Sequence, residues 1–221
     1  RFKDAKEILW DLINEPSFCS AKHLWSVRPN GDEFEIAAWN NWLRARFPQA
    51  TTEHALRDIC ATTFRVSKRR ALDLPDPEDF REMHLHGDRC PLKAAAYRFF
   101  AQDMFTAWAT RLRDVIKREA GPGHLVTVGQ DEGGAYDRPS TQFHSRAVDF
   151  TCLHNWWAND DLLWDGIVTK VPGTTHLVEE TGVMMYEDQL GKPWLSEEAA
   201  AALLDRKCAY AFAAGGAGFI E

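Results

Sequence analysis

Two short motifs in this sequence place a carboxylate at the end of an apolar run. The first is NEP at residues 14–16, which follows the apolar stretch ILWDLI and contains Glu15. The second is EETG at residues 179–182, which follows HLV and contains Glu180. Two carboxylates brought together from distant strands can hydrolyse a glycosidic bond, because one protonates the leaving oxygen while the other attacks the anomeric carbon. The chemistry to consider first is therefore glycoside hydrolysis.

The elements that must position these carboxylates are short apolar runs, too apolar for clean alternation. Such runs indicate strands buried on both faces, as in a parallel sheet. Five of them are found, at residues 7–14, 124–130, 148–156, 175–181 and 217–221. Helical patterns lie between them, at residues 34–47, 92–121 and 196–216. This alternation predicts an α/β fold with a parallel sheet, and the active sites of parallel barrels lie at the carboxyl ends of the strands.

The stretch from residue 19 to residue 91 is too long for an ordinary loop. It is predicted to be an insertion after the first strand, with a helix of its own and a Pro/Asp-rich turn at residues 74–80. We expect residues 1–221 to form one domain, a partial barrel that carries this insertion.

Composition excludes several function classes. The net charge of -7 argues against a phosphate-binding surface, so no nucleic-acid partner is expected. No apolar run approaches the ~20 residues of a membrane span, so no membrane partner is expected either. The five cysteines have no paired spacing from which a disulfide framework could be predicted. Both ends of the chain suggest an internal piece of a longer protein, which leaves the compartment open.

Three motifs resemble those of the clan A glycoside hydrolases. WDLINEP (10–16) resembles their strand-4 motif, HLVEETG (176–182) resembles their strand-7 motif, and DFTCLHNWW (149–157) is similar to their strand 6. The resemblance is nearest to glycoside hydrolase family 5. Residues 37–56 are also similar to a segment of the family 42 β-galactosidases.

This resemblance implies a (β/α)8 TIM barrel of which the chain supplies strands 4 to 8, and a retaining β-glycosidase that needs no cofactor or metal. Glu15 would be the general acid/base and Glu180 the nucleophile of a double displacement. Asn14 would hydrogen-bond the sugar 2-hydroxyl. His154 would line the pocket and help orient Glu180 or a substrate hydroxyl. Trp156 stands where family 5 has a Tyr, and is expected to contact substrate.

Two assignments at the strand ends have alternatives. Alternation along a strand brings only one of Glu179 and Glu180 into the pocket, and the spacing to Gly182 favours Glu180. His154 could instead be a structural core histidine.

Aromatic and loop residues leave further alternatives. Trp156 and Trp157 could be one sugar platform and one packing residue, in either order. Asp131 and Glu132 could contact substrate or lie in a solvated loop. The segment HLHGDRC (84–90) invites a metal-site interpretation, but its place in a long polar insertion favours a solvated loop.

Several functions are compatible with these motifs. The family 5 resemblance predicts an enzyme acting on β-linked oligo- or polysaccharides of the β-mannan or β-glucan type. The family 42 resemblance predicts an exo-acting β-galactosidase. From a different class, the chain could be a non-catalytic carbohydrate-binding barrel, or an inactive fragment, since five strands cannot close an eight-stranded barrel.

Overall fold

A computed structural model describes residues 9–18, 28–80, 91–130, 138–155, 162–183, 191, 193 and 195–216 of the chain. The strands in this part of the chain are β1 (Leu9–Asn14), β2 (Leu125–Gly129), β3 (Thr151–Asn155) and β4 (His176–Thr181). The α-helices are α1 (Glu33–Arg46), α2 (Glu53–Phe64), α3 (Pro91–Glu119), α4 (Thr141–His144), α5 (Leu162–Thr169) and α6 (Glu197–Ala213). Short 3-10 helices cover Lys68–Arg70, Pro77–Phe80 and Ser145–Ala147.

The chain divides into two compact units. One is formed by Arg1–Pro16 together with Met104–Glu221 and contains all four strands; we call it the α/β unit. The other is formed by Ser17–Asp103 and is helical; we call it the helical unit. The segment interpreted from the sequence as an insertion, residues 19–91, falls within the helical unit.

The four strands of the α/β unit run parallel and follow one another in chain order. β1 pairs with β2, and β3 pairs with β4, both in parallel. β3 lies beside β2, because the backbone N–H of Asp149 donates to the Val126 carbonyl at 2.8 Å and that of His154 donates to the Gln130 carbonyl at 2.7 Å. The prediction of an α/β fold with parallel strands is therefore confirmed. Within the described residues the strands do not close into a barrel.

Helices pack against the buried faces of these strands. Val128 of β2 packs with Ala109 of α3, and Leu12 of β1 contributes to the same cluster. Leu153 of β3 and Val178 of β4 are almost fully buried and form a second cluster with α6. Burial on both faces explains the apolar runs of β2 and β3, whereas β1 is largely exposed within the described residues despite its apolar sequence.

The helical unit has a separate core that is rich in aromatic residues. Trp39 is completely buried, stacks on Trp42 at 5.3 Å between ring centroids, and meets Phe100 edge-on at 5.5 Å. Trp39 is therefore a packing residue at the centre of this core. Asp32 caps the start of α1 and Thr52 caps the start of α2, each accepting a backbone N–H with its side chain.

The predicted helices at residues 34–47, 92–121 and 196–216 correspond to α1, α3 and α6. Helices α2 and α5 were not predicted. In α5, Gly166 and β-branched residues weaken the helical pattern, and packing determines the structure instead: a Cβ at Gly166 would lie 2.8 Å from the Cβ of Ala214. The predicted strand at 217–221 lies outside the described residues. None of the described helices is long and apolar enough to span a membrane.

Candidate active site at the strand ends

Three predicted site residues, and Glu179 as the alternative to one of them, lie together at the carboxyl ends of β1, β3 and β4. Glu15 directly follows β1, and His154 is the second-last residue of β3. Glu179 and Glu180 lie near the end of β4. All of these residues belong to the α/β unit. Because the strands run parallel, their carboxyl ends meet at one edge, as the sequence predicted.

His154 is the centre of this group. Its side chain is completely buried, and its Nδ1 lies 3.0 Å from the Glu15 Oε1 and 3.5 Å from the Glu180 Oε2. On the opposite side of the ring, Nε2 lies 3.7 Å from the Glu179 Oε2. One imidazole ring therefore separates two carboxylates on one side from a third on the other.

Glu15 and Glu180 lie close enough to act on one bond. A carboxylate oxygen of each and the Nδ1 or Nε2 of His154 all lie within 4.8 Å of one another. Retaining glycosidases hold their carboxyl groups about 5 to 5.5 Å apart, whereas inverting enzymes need roughly 6.5 to 9.5 Å to fit a water molecule. The side chains of Glu15 and Glu180 are 38% and 37% exposed, so a substrate can reach both.

The backbone at Glu15 is strained and is fixed by β2. Glu15 has a φ of 46°, in the left-handed region that costs a non-glycine residue about 1 kcal/mol or more. Its N–H donates to the Gly129 carbonyl at 2.8 Å, and the Gly129 N–H donates to the Asp11 Oδ1 at 2.7 Å. The pairing of β1 with β2 shifts register between Asp11 and Asn14, immediately before this residue. The end of β2 therefore sets the direction in which Glu15 points.

A second irregularity lies in the pairing of β3 with β4. Leu153 pairs with Val178 but His154 pairs with Glu180, so Glu179 is an extra residue at a β-bulge. Alternation was expected to bring only one of the two glutamates into the pocket. Both carboxylates approach His154, Glu179 at 3.7 Å from Nε2 and Glu180 at 3.5 Å from Nδ1. Glu180 lies on the Nδ1 side with Glu15, whereas the Glu179 side chain lies on the Nε2 side and is only 16% exposed.

The charges of this group favour a protonated imidazole. Burial of His154 disfavours its charged form, but the neighbouring carboxylates of Glu179, Glu15 and Glu180 outweigh burial and raise the pKa of His154 to about 9. Burial also opposes the charge of Glu179, yet the contacts with His154 and Cys152 lower the pKa of the Glu179 carboxyl. At neutral pH the site therefore contains an imidazolium cation beside the ionised Glu179 carboxylate.

Metal binding is the other chemistry that this geometry allows. Glu15, His154 and Glu180 each present a ligand atom at a spacing that a divalent ion could use. A histidine ligand must first lose its proton. The raised pKa of His154 means that an ion binding here at neutral pH would have to displace this proton.

Two contributors to the site were missed from the sequence. Cys152 of β3 donates its thiol to the Glu179 Oε2 at 2.7 Å. Lys207 of α6 is fully buried and donates to the carbonyls of Asn155 at 2.9 Å and Gly182 at 2.7 Å, which ties the ends of β3 and β4 together. A pattern that could have revealed Lys207 is its spacing of four residues from Leu203 and from Ala211, both of which are buried.

The remaining predicted residues divide into two groups. Asn14 ends β1, pairs with Gly129 and is exposed to solvent beside Glu15. The others lie outside the described residues: Trp156, Trp157, Asp131, Glu132 and the segment 84–90.

Comparison with known proteins does not assign this site. No protein-family model matches the chain, and no curated protein matches it. The similarity to clan A glycoside hydrolases therefore rests on the three motifs alone, and a function has to be argued from the geometry.

Proposed function

We propose that this chain carries the catalytic site of a retaining β-glycoside hydrolase, formed by strands 4 to 8 of a TIM barrel. The observation that carries the proposal is the close approach of the Glu15 and Glu180 carboxylates at the ends of β1 and β4. One oxygen of each lies within 4.8 Å of the other, which is nearer to the separation of about 5 to 5.5 Å in retaining enzymes than to roughly 6.5 to 9.5 Å in inverting ones, and this supports a covalent intermediate.

The proposed reaction is a double displacement. A carboxylate oxygen of Glu180 attacks the anomeric carbon while Glu15 gives its proton to the departing glycosidic oxygen, which leaves a glycosyl ester on Glu180. Glu15, now a carboxylate, then removes a proton from a water molecule that attacks the same carbon and releases Glu180. Asn14, exposed beside Glu15, is proposed to hydrogen-bond the sugar 2-hydroxyl.

Glu180 is a better nucleophile candidate than Glu179. Its carboxylate shares the Nδ1 side of His154 with Glu15, and more than twice as much of its side chain is exposed. A nucleophile must contact the sugar, and Glu179 is largely covered.

The proposed substrate is a β-linked oligo- or polysaccharide of the β-mannan or β-glucan type, and a β-galactoside is the alternative. The family 5 resemblance supports the first, and the family 42 resemblance at residues 37–56 supports the second. Reducing-sugar release from the polymers, compared with release of nitrophenol from a nitrophenyl β-galactoside, separates the two.

The decisive experiment traps the covalent intermediate. The protein is incubated with 2-deoxy-2-fluoro β-glycosides that carry a dinitrophenyl leaving group, and the labelled peptide is located by mass spectrometry. We expect one glycosyl ester on Glu180, no label in Glu180→Gln, and full labelling in the matched surface control Glu198→Gln. A label on Glu179 would overturn the assignment of the nucleophile.

The acid/base role of Glu15 has its own test. In Glu15→Gln, cleavage of ordinary β-glycosides should fall by about 10²- to 10⁴-fold, whereas a dinitrophenyl glycoside needs no proton and should still form the intermediate. Equal loss with both substrates would contradict this role. Binding of the oligosaccharides without any turnover would instead identify a carbohydrate-binding barrel.

A further inference from the structure

Glu179 is a third carboxylate that double displacement does not use. It is the extra residue of the β4 bulge, and its Oε2 lies 3.7 Å from the His154 Nε2. That nitrogen is buried and makes no hydrogen bond within the described residues. Glu179 is therefore the nearest described counter-charge on the side of the ring away from Glu15 and Glu180.

The Glu179 carboxylate is itself held in place from behind. The thiol of Cys152 lies 2.7 Å from the same Oε2, and it also lies 2.8 Å from the Val128 carbonyl of β2. Burial, together with the charge of Glu179, raises the pKa of the Cys152 thiol far above its ordinary value, so the sulfur stays protonated and acts as a donor. Regular pairing continued from Leu153 and Val178 would set Glu179 opposite His154, so Glu179 keeps this neighbour across the bulge, and the thiol fixes its carboxylate there.

The other charged groups that face His154 come from two strands. Glu15 and Glu180 approach Nδ1, from the ends of β1 and β4. Asp11 of β1 interacts with both His154 and Glu179; burial first, and then the charge of Glu179, raises the pKa of this carboxyl. During a double displacement Glu180 becomes an ester, and Glu15 loses and regains a proton. Neither change takes place at Glu179 or Asp11.

We propose that Glu179 is a positioning residue that keeps His154 protonated through the catalytic cycle, so that the His154 Nδ1–H continues to donate to Glu15 after Glu180 has become an ester. The second half of this statement rests on the proposed function. When Glu180 becomes a glycosyl ester, it loses its negative charge and His154 loses a counter-charge. Glu179 remains ionised at the opposite edge of the ring, beside Nε2, and holds the imidazolium in place.

The first test measures the charge of His154 without any substrate. Ring nitrogen and proton shifts of histidines are followed by NMR against pH in the unmodified protein, in Glu179→Gln and in the surface control Glu119→Gln. His154→Asn identifies the signal by its loss. We expect the His154 pKa to fall by about one to three units in Glu179→Gln and to stay unchanged in Glu119→Gln, because an opposite charge this close shifts a pKa by that amount. An unchanged pKa in Glu179→Gln would overturn the proposal.

The second test measures the pH profile of kcat/KM on a β-glycoside. In Glu179→Gln, loss of the imidazolium charge beside Glu15 favours the protonated form of this acid, so the alkaline limb of the profile moves to higher pH. Glu179→Asp keeps the charge and should restore most of the profile. A limb that stays in place while the NMR titration moves would overturn the catalytic half of the proposal.

These readouts separate the inference from the proposed function. A shifted His154 titration in a protein that cleaves no glycoside supports the role of Glu179 and contradicts the glycosidase. If Glu179→Gln does not fold, the unmodified protein and Cys152→Ala decide the question. A His154 ring that is neutral at about pH 8 in the unmodified protein would overturn the proposal. A His154 pKa that is lower in Cys152→Ala than in the unmodified protein supports it.

Discussion

Mild acid should destabilise the α/β unit through two buried, neutral histidines. Burial lowers the pKa values of His144 and His176 to about 4 each. The ring of His176 lies between two hydroxyl groups, with Nδ1 2.8 Å from the Thr151 Oγ1 and Nε2 3.2 Å from the Thr169 Oγ1. Neither hydroxyl carries a charge that would compensate for a second proton on the ring.

The direction of this change in stability with pH follows from the linkage between protonation and folding. Each folded pKa lies below the unfolded value of about 6.5, so the stability that these rings contribute is complete above that pH and is lost as the pH falls towards 4. Between about pH 8 and pH 5 each ring costs about 2 kcal/mol. His154 has the opposite shift and gains about 2 kcal/mol over the same range. The net loss is therefore about 2 kcal/mol, a substantial part of a typical stability of about 5 to 15 kcal/mol.

Urea unfolding at about pH 8 and pH 5 measures this loss directly, since the free energy of unfolding extrapolates linearly to water. His176→Asn keeps an amide near the position of Nδ1 and cannot titrate, so the loss between the two pH values should shrink by about 2 kcal/mol. His54→Gln is the control, because His54 is an exposed residue of the helical unit and should leave the pH dependence unchanged. If His176→Asn showed the same loss as the unmodified protein, the assignment of this acid sensitivity to His176 would be refuted.

Three further predictions concern the packing that supports each unit. Gly129→Ala would place a Cβ 2.7 Å from the Asp11 Oδ2 and 3.2 Å from the Ile13 carbonyl, so it should cost about 1 to 3 kcal/mol and reduce labelling of the active site; urea unfolding and the fluoroglycoside assay measure both effects. Trp39→Ala should destabilise the helical unit by about 3 to 5 kcal/mol, measured by thermal unfolding, because it empties the centre of that core. Arg65 ends α2 with a φ of 56°, so Arg65→Gly should be about 1 kcal/mol more stable than Arg65→Ala in urea unfolding; equal stability would contradict the backbone argument.

The elements of the fold that could be predicted are those that bury a continuous apolar surface. β2, β3 and β4 lie within the runs predicted for them, because strands covered on both faces need apolar residues at nearly every position. α1, α3 and α6 were predicted from helical spacing, and the Ser196 side chain caps the start of α6. α2 and α5 are short helices that were missed. In α2 the buried residues Leu56, Cys60 and Phe64 do recur at helical spacing, so this helix could have been found from the sequence. In α5, Gly166 interrupts a short apolar run that could equally be a strand.

The candidate site was predictable in its members but not in its arrangement. Parallel strands and polar residues at their ends were sufficient to bring Glu15, His154 and Glu180 to one edge. Lys207 and Cys152 were missed because each lies within an apolar element, where a polar residue is recognised as part of a site only when its partners are known. Both join groups that are far apart in the sequence.

The irregular backbone at the site explains where sequence reasoning stops. β1 and β3 each lose regular pairing with their neighbour next to a residue of the site, at Asn14 and at His154. Glu15 then adopts a left-handed conformation that a non-glycine residue keeps only when its surroundings hold it there. A pattern of period two assumes that pairing continues, so it fails at the positions where a bulge turns a side chain to the other face. For that reason the sequence could not show that both glutamates of β4 approach His154, Glu180 on the side of Glu15 and Glu179 on the opposite side.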